Sequence, residues 1–157
     1  MDLSEIEDAV FSGKSIEEIA GGMTWQYFEE LCSSIFEKNG FSVKKRFRFN
    51  DGGSGHEIDI LAETPVVKKH GRGIRKTTKI MAVDCKHWSV GRTSALKKAA
   101  DMQEERAKAL KKVDGYKRKP ALSVLVTLFQ ENVILEGNTW IVPIFKLNSF
   151  LNSDEAF

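Results

Sequence analysis

The sequence predicts an α/β protein, with a central mixed β-sheet flanked by helices on both faces. Three observations carry this expectation. Helical and strand-like periodicities follow one another in the order helix, three strands, helix, two strands and a closing helix. The stretch "ALSVLVTLF" is a nearly continuous apolar run, the pattern of a strand covered on both sides. The two clearest helices each carry one apolar stripe, so each has one face to bury. A sheet sandwiched between helix layers satisfies all three.

Each element follows from local signals. Ser15 followed by Glu18 forms a capping box that opens a short helix at "IEEIA", and Gly21–Gly22 end it. Residues 1–22 therefore read as a helical extension before a domain at 23–157. Thr24 caps "WQYFEELCSSIFEKNG", where Trp25, Phe28, Leu31, Cys32, Ile35 and Phe36 share a stripe and Asn39–Gly40 supply the stop. Glu29 and Glu30 lie beside that stripe, so either can face a site at the edge of the core. In "FSVKKRFRF", Phe41, Val43, Phe47 and Phe49 alternate with Lys44, Arg46 and Arg48, a half-buried strand with a basic outer face. "NDGGSG" is a turn. "HEIDILAE" is the next strand, with Ile58, Ile60 and Ala62 on one face and Glu57, Asp59 and Leu61 on the other.

The segment 64–79, "TPVVKKHGRGIRKTTK", breaks pattern at Pro65, Gly71 and Gly73 and holds six bases and His70. It reads as a basic hairpin or loop insertion. "KIMAVDCKH" is the third strand. "TSALKKAADMQEERAKALKKV" is the longest helix, capped by Thr93 or Ser94, with Leu96, Ala99, Ala100, Gln103, Ala107 and Leu110 on one face. "TWIVPIF" is a late strand whose Pro143 suggests a sheet edge. "KLNSFL" closes the chain as a helix.

With 157 residues the chain has the size of one domain, and 41% apolar with 29% charged residues fits a soluble protein. No apolar stretch is long enough to span a membrane, and the acidic start "MDLSEIEDAV" is unlike a signal region, so a cytoplasmic location is expected. Cys32 and Cys85 match neither zinc spacing nor a disulfide framework. The net charge of +2 conceals an asymmetry: residues 1–37 carry −8, residues 38–119 carry +13 and residues 120–157 carry −3. A central basic segment of this size fits a polyanion such as nucleic acid, or a set of solvated lysines, and charge alone does not separate the two.

Chemistry concentrates in "MAVDCKHW". Residues two apart on a strand share a face, so Asp84 and Lys86 project together and Cys85 points the other way. Antiparallel pairing with the preceding strand sets Asp59 opposite Asp84. Adjacent carboxylates resist ionising unless a cation lies between them. Mg²⁺ or Mn²⁺ fits, because hard ions of this kind are typically held by one or two carboxylates together with a phosphate. Lys86 then reaches the phosphate or the attacking water. Taken singly, each residue has a plainer role: an ion pair at a strand end, a solvated acid, a packed His87 or Trp88. The combination points to phosphodiester hydrolysis.

In order, "FEELCSSIFEKNGFSV", "GGSGHEIDILAE", "MAVDCKHW" and "SVLVT" resemble the PD-(D/E)XK nuclease superfamily, and within it the Mrr-like restriction endonucleases and archaeal Holliday-junction resolvases. The resemblance implies the restriction-endonuclease-like fold and a site of Glu29, Asp59, Asp84 and Lys86. It favours Glu29 over Glu30, because Phe28 precedes it in an "FE" pair. It implies a metal held by Asp59, Asp84 and the backbone carbonyl of Cys85. Mrr-like proteins often carry Gln or Glu where Asp84 stands, and the insertion at 64–79 has no counterpart in the usual tight turn.

DNA is the expected partner, contacted by Lys44, Arg46, Arg48, His87 and an arm bearing Lys68, Lys69, Arg72, Arg75 and Lys76. A metal-dependent DNA endonuclease leads, either restriction-like or junction-resolving. Junction resolution would need a two-fold homodimer, for which the apolar tail "WIVPIFKLNSFL" is a candidate interface, though it equally suits covering the sheet. The alternative is a DNA-binding module of the same fold that has lost catalysis, although no site residue is replaced. A metal-free RNA-splicing type of nuclease would need a His–Tyr–Lys set, and none is evident.

Overall fold

The computed structural model describes residues 23–86, 93–128 and 132–156, with residues 5, 8 and 12. The expected capping box and helix in the N-terminal extension lie outside the described residues, as do His87 and Trp88.

Helix α1 (Trp25–Lys38) starts at Thr24, whose hydroxyl accepts from the Tyr27 N–H at 3.3 Å. It ends at Asn39, and Gly40 takes the left-handed conformation (φ 85°) that turns the chain into the sheet. Strands β1 (Ser42–Asn50), β2 (Gly55–His70) and β3 (Gly73–Lys86) form an antiparallel meander. Helix α2 (Thr93–Leu110) then crosses over to β4 (Ala121–Thr127), which runs parallel to β3. A short β5 (Ile134–Glu136), β6 (Thr139–Pro143), helix α3 (Ile144–Leu151) and a 3₁₀ turn (Asp154–Ala156) complete the chain. The six-stranded mixed sheet has the order β1-β2-β3-β4-β6-β5.

Helices cover both faces. Phe28, Leu31, Cys32 and Phe36 of α1 and Ile144, Leu147 and Phe150 of α3 pack on Ile60, Ala62, Met81, Val83, Val124, Val126 and Val142. On the opposite face α2 buries Leu96, Ala99, Ala100, Ala107 and Leu110 against Leu61, Ile80, Ala82, Leu125 and Ile141. The run "ALSVLVT" divides between the two cores, which explains why it lacks a polar face. Gln103 lies fully buried within the α2 stripe.

Three expectations are corrected. Strand β6 is interior, between β4 and β5; Pro143 is tolerated because it is the last residue of the strand and hands over to α3. The edge on that side is β5, too short for its pattern to show. Trp25 is 42% exposed and does not join the α1 stripe. Last, the side-chain alternation of β1 and β2 reverses partway: Val43 packs on the α1 side but Phe47 and Phe49 on the α2 side, and Ile60 and Ile58 split the same way. The cause lies at Arg46, the sole non-glycine residue with positive φ (51°) among the described residues. One left-handed residue turns the strand over, at a cost of roughly 1–2 kcal/mol.

The segment 64–79 is part of the sheet's longest hairpin. Pairing continues from Ile60↔Val83 to His70↔Gly73, and Gly71 (φ 59°) makes the turn. The apolar tail covers the sheet, with Ile141, Val142 and Leu147 at most 1% exposed and Trp140, Phe145 and Leu151 partly buried.

Candidate active site

The site forms where strands part. At its inner end the β2–β3 ladder stops at Ile60↔Val83, one pair short of Asp59 and Asp84, while β3 goes on pairing with β4 as far as Lys86↔Thr127. Across β1 the pairs Lys45↔Ile60 and Phe47↔Ile58 flank a gap that contains Arg46 and Asp59. Asp59 therefore lies between two strands with no register partner on either. Its carboxylate takes over the missing acceptor, and the Cys85 N–H donates to Asp59 Oδ2 at 2.9 Å. A backbone amide satisfied by a side chain keeps the fork from costing a buried unpaired donor.

This geometry brings Asp59 and Asp84 face to face. Burial first, and then the adjacent Asp84 carboxyl, push the Asp59 pKa up to about 7, against the pull of the Cys85 N–H and Lys86. Lys86 Nζ lies 3.1 Å from Asp84 Oδ2, and Arg106 of α2 lies 3.9 Å from the same oxygen. Asp84 is 5% exposed, and its Oδ2 makes no hydrogen bond despite those charges. Thr127 Oγ1, on the residue paired with Lys86, is likewise buried without a partner. A buried carboxylate pair held by cations but short of hydrogen bonds, beside the unpartnered Thr127 hydroxyl, marks a place for water, an ion or substrate.

Glu29 belongs to the same cluster. Burial and then Asp59 raise its pKa, while Arg46 and Lys45 oppose the rise. Glu30 is exposed, so the structure separates the two acids that the helix pattern left equivalent. The Arg46 guanidinium lies 5.1 Å from the centre of the Trp25 ring, so the strained residue is held over an aromatic platform beside Glu29. On the α2 side, Asp84 and Lys86 open onto a groove of about 230 Å³ shared with Lys98, Ala99, Met102 and Arg106.

Three contributors, Trp25, Gln103 and Arg106, escaped the sequence reading. Trp25 was assigned to the core stripe. Gln103, placed among apolar residues, donates its amide to the Ala82 carbonyl at 2.8 Å and accepts from Arg106 Nη1 at 3.2 Å, so it steers Arg106 toward Asp84. A polar residue within an apolar helical stripe was the signal. Cys85 packs toward Cys32, as its place opposite Asp84 on the strand predicts; that contact and burial raise its thiol pKa well above normal.

Other candidates lie apart from the carboxylates. Arg48 pairs with Glu57 at 2.8 Å, and Lys44 lies 3.8 Å from Glu63 and bonds the Tyr116 hydroxyl. Lys69, Arg72, Arg75 and Lys76 are exposed on the arm; Lys68 has a described backbone only, opposite Arg75.

The donor set fits a hard divalent ion. Among the described residues no group of three or more His, Cys, Asp or Glu side chains could hold a metal, so no full protein cage exists. Two adjacent carboxylates suit an ion such as Mg²⁺ that keeps its waters and shares a phosphate. Among the described residues no helix is long and apolar enough to cross a membrane.

Comparison with known proteins agrees with the geometry. A family model described as "Restriction endonuclease" (Mrr catalytic type) matches residues 20–121. An uncharacterized protein of Archaeoglobus fulgidus is 32% identical over 133 residues, covering 83% of this chain and 92% of that protein. No solved structure matches. With the strand fork, the carboxylate pair and the adjacent lysine all inside the matched span, the chain belongs to the Mrr-type restriction endonuclease catalytic-domain family, of the PD-(D/E)XK kind.

Proposed function

We propose that the protein is a metal-dependent DNA endonuclease that hydrolyses phosphodiester bonds, restriction-like or junction-resolving, and acts in the cytoplasm. The observation that carries this is the pairing of Asp59 with Asp84 at a strand fork, with Lys86 Nζ 3.1 Å from the Asp84 carboxylate. Asp59, Asp84 and the Cys85 carbonyl would hold Mg²⁺ or Mn²⁺, which when bound acidifies a water and neutralises phosphate charge.

The chain's own residues do the rest. Lys86 faces the charge that develops on the phosphoryl oxygens as the bond to water oxygen forms and the bond to the leaving oxygen breaks. Glu29, more basic than an ordinary carboxylate, orients the attacking water by accepting its hydrogen bond. Arg46, stacked on Trp25, and Lys44, Arg48 and His87 grip the flanking backbone. The basic arm with Lys68, Lys69, Arg72, Arg75 and Lys76 extends that grip. Junction resolution needs two active sites, and that form implies a two-fold homodimer.

The test is cleavage of labelled duplex, nicked, flapped, single-stranded and four-way-junction DNA in Mg²⁺, Mn²⁺ or EDTA. Asp59→Ala and Lys86→Ala proteins run beside the wild type. Metal-dependent cutting that both substitutions abolish supports the nuclease, and substrate preference separates its two forms. Binding without cutting under every condition would leave the alternative, a catalytically inactive DNA-binding module.

A further inference from the structure

A second cationic site lies at the far end of the sheet. Beyond Ile80, β3 has outrun β4, and the Ile80 N–H meets the Pro120 carbonyl at the start of that strand. The edge of β3 from Arg75 to Thr78 is instead faced by the loop joining α2 to β4. Between them is an open cleft of about 580 Å³. Arg75 and Lys76 line one wall and Lys117, Arg118 and Lys119 the other, five bases against the single acid Asp114. Lys117 pairs with Asp114 at 2.7 Å and Lys119 lies 3.4 Å from Glu63. Arg75, Lys76 and Arg118 have no carboxylate partner among the described residues. Thr77 and Thr78 add neutral hydroxyl donors to the lining.

Charged residues on an exposed strand also serve simply to block edge-to-edge pairing. That role does not account for bases from two distant chain segments converging on one cavity. Convergent Lys and Arg with hydroxyl donors match a phosphodiester backbone. The distance is informative as well. From Lys76 to Asp84 is eight residues of one strand, about 26 Å at ~3.3 Å each. Duplex DNA rises ~3.4 Å per base pair, so this is about 8 base pairs.

We infer that the cleft is a second nucleic-acid anchor, which takes the phosphodiester backbone about 8 base pairs from the scissile phosphate. The anchor itself stands on the cleft; its distance from a scissile bond rests on the nuclease proposed above. It follows that the substrate is a duplex longer than the active site alone would need.

The experiment uses full-length wild type and Lys117→Gln/Arg118→Gln, two exposed positions outside the catalytic cluster, with equal thermal melts as the control for folding. Anisotropy of a labelled 24-base-pair duplex is followed against salt in EDTA, and cleavage at the centre of a 10-base-pair duplex, which extends about 5 base pairs either way, is followed in Mg²⁺. Losing two phosphate contacts lowers the salt slope on the long duplex by about 1.8 and affinity by roughly 60-fold at 0.1 M salt, taking the contacts as worth nothing at 1 M. Cutting of the short duplex stays unchanged. Lys117→Glu/Arg118→Glu enlarges the loss. An unchanged slope and affinity for the long duplex in both variants would overturn the anchor, whether or not the protein cuts. A reduced slope in a protein that cuts nothing would instead sink the nuclease and leave the anchor standing.

Discussion

Asp59→Asn is expected to stabilise the metal-free protein while abolishing its activity. Burial and the Asp84 carboxyl raise the Asp59 pKa from an ordinary 3.8 to about 7. A carboxyl whose pKa is higher in the folded state stabilises folding fully below pH about 4 and loses that contribution as pH rises to about 7. At ~1.36 kcal/mol per pH unit the ceiling is about 4 kcal/mol. Asp59 is only partly buried, and solvent screening reduces this to about 1–2 kcal/mol. Asparagine removes the loss without removing the geometry: its carbonyl still accepts from the Cys85 N–H, and its amide offers Asp84 a donor. Urea unfolding in EDTA from pH 4 to 8.5 should show the two proteins equal near pH 4 and the variant about 1–2 kcal/mol more stable at pH 8, a melting shift of about 2–8 °C. Mg²⁺ at ten times its dissociation constant should then add about 1.4 kcal/mol to the wild type alone. A variant no more stable than wild type at pH 8, or a difference that does not change with pH, would refute the account of the carboxylate pair.

The left-handed Arg46 gives a second test. Arg46→Gly should change stability by less than about 1 kcal/mol, because relieved strain offsets the lost Trp25 contact, whereas Arg46→Val should cost about 1–3 kcal/mol by denaturation. Gln103→Leu leaves the Ala82 carbonyl without its buried donor, and thermal melts should report a loss of about 1–3 kcal/mol. At the β1–β2 turn, the Ser54 and Gly53 N–H groups and His56 hold the Asp51 pKa well below the usual carboxylate range. Its stabilising contribution is present above pH about 4 and falls away as pH drops further, so acid titration should show a steeper loss in wild type than in Asp51→Asn.

Much of this was legible in one dimension. The periodicities determined the helices and the long strands because burial on one face imposes a repeat of 3.6 or 2 on the residues themselves. Asp84 and Lys86 followed from the same rule, since strand geometry puts them on one face whatever surrounds them. The approach of Asp59 to Asp84 needed only an antiparallel register. The choice of Glu29 over Glu30 was suggested by resemblance, and tertiary packing separated them by exposure.

Other features were decided in three dimensions. Arg46 looked like one more outward base on an alternating strand, yet its left-handed backbone turns that strand over, because Asp59 opposite it needs both neighbouring ladders to open. Trp25 left the stripe for Arg46, and Gln103 entered the core because a strand carbonyl required its amide. Strand order placed β6 inside the sheet even though Pro143 pointed to an edge. The basic cleft is the clearest case. Arg75 and Arg118 are far apart in the chain, and no local pattern says that a strand outrunning its neighbour will meet the loop after the next helix. Sequence specifies which faces must be covered; which segments cover them, and which charges thereby converge, is set by the packing of the whole chain.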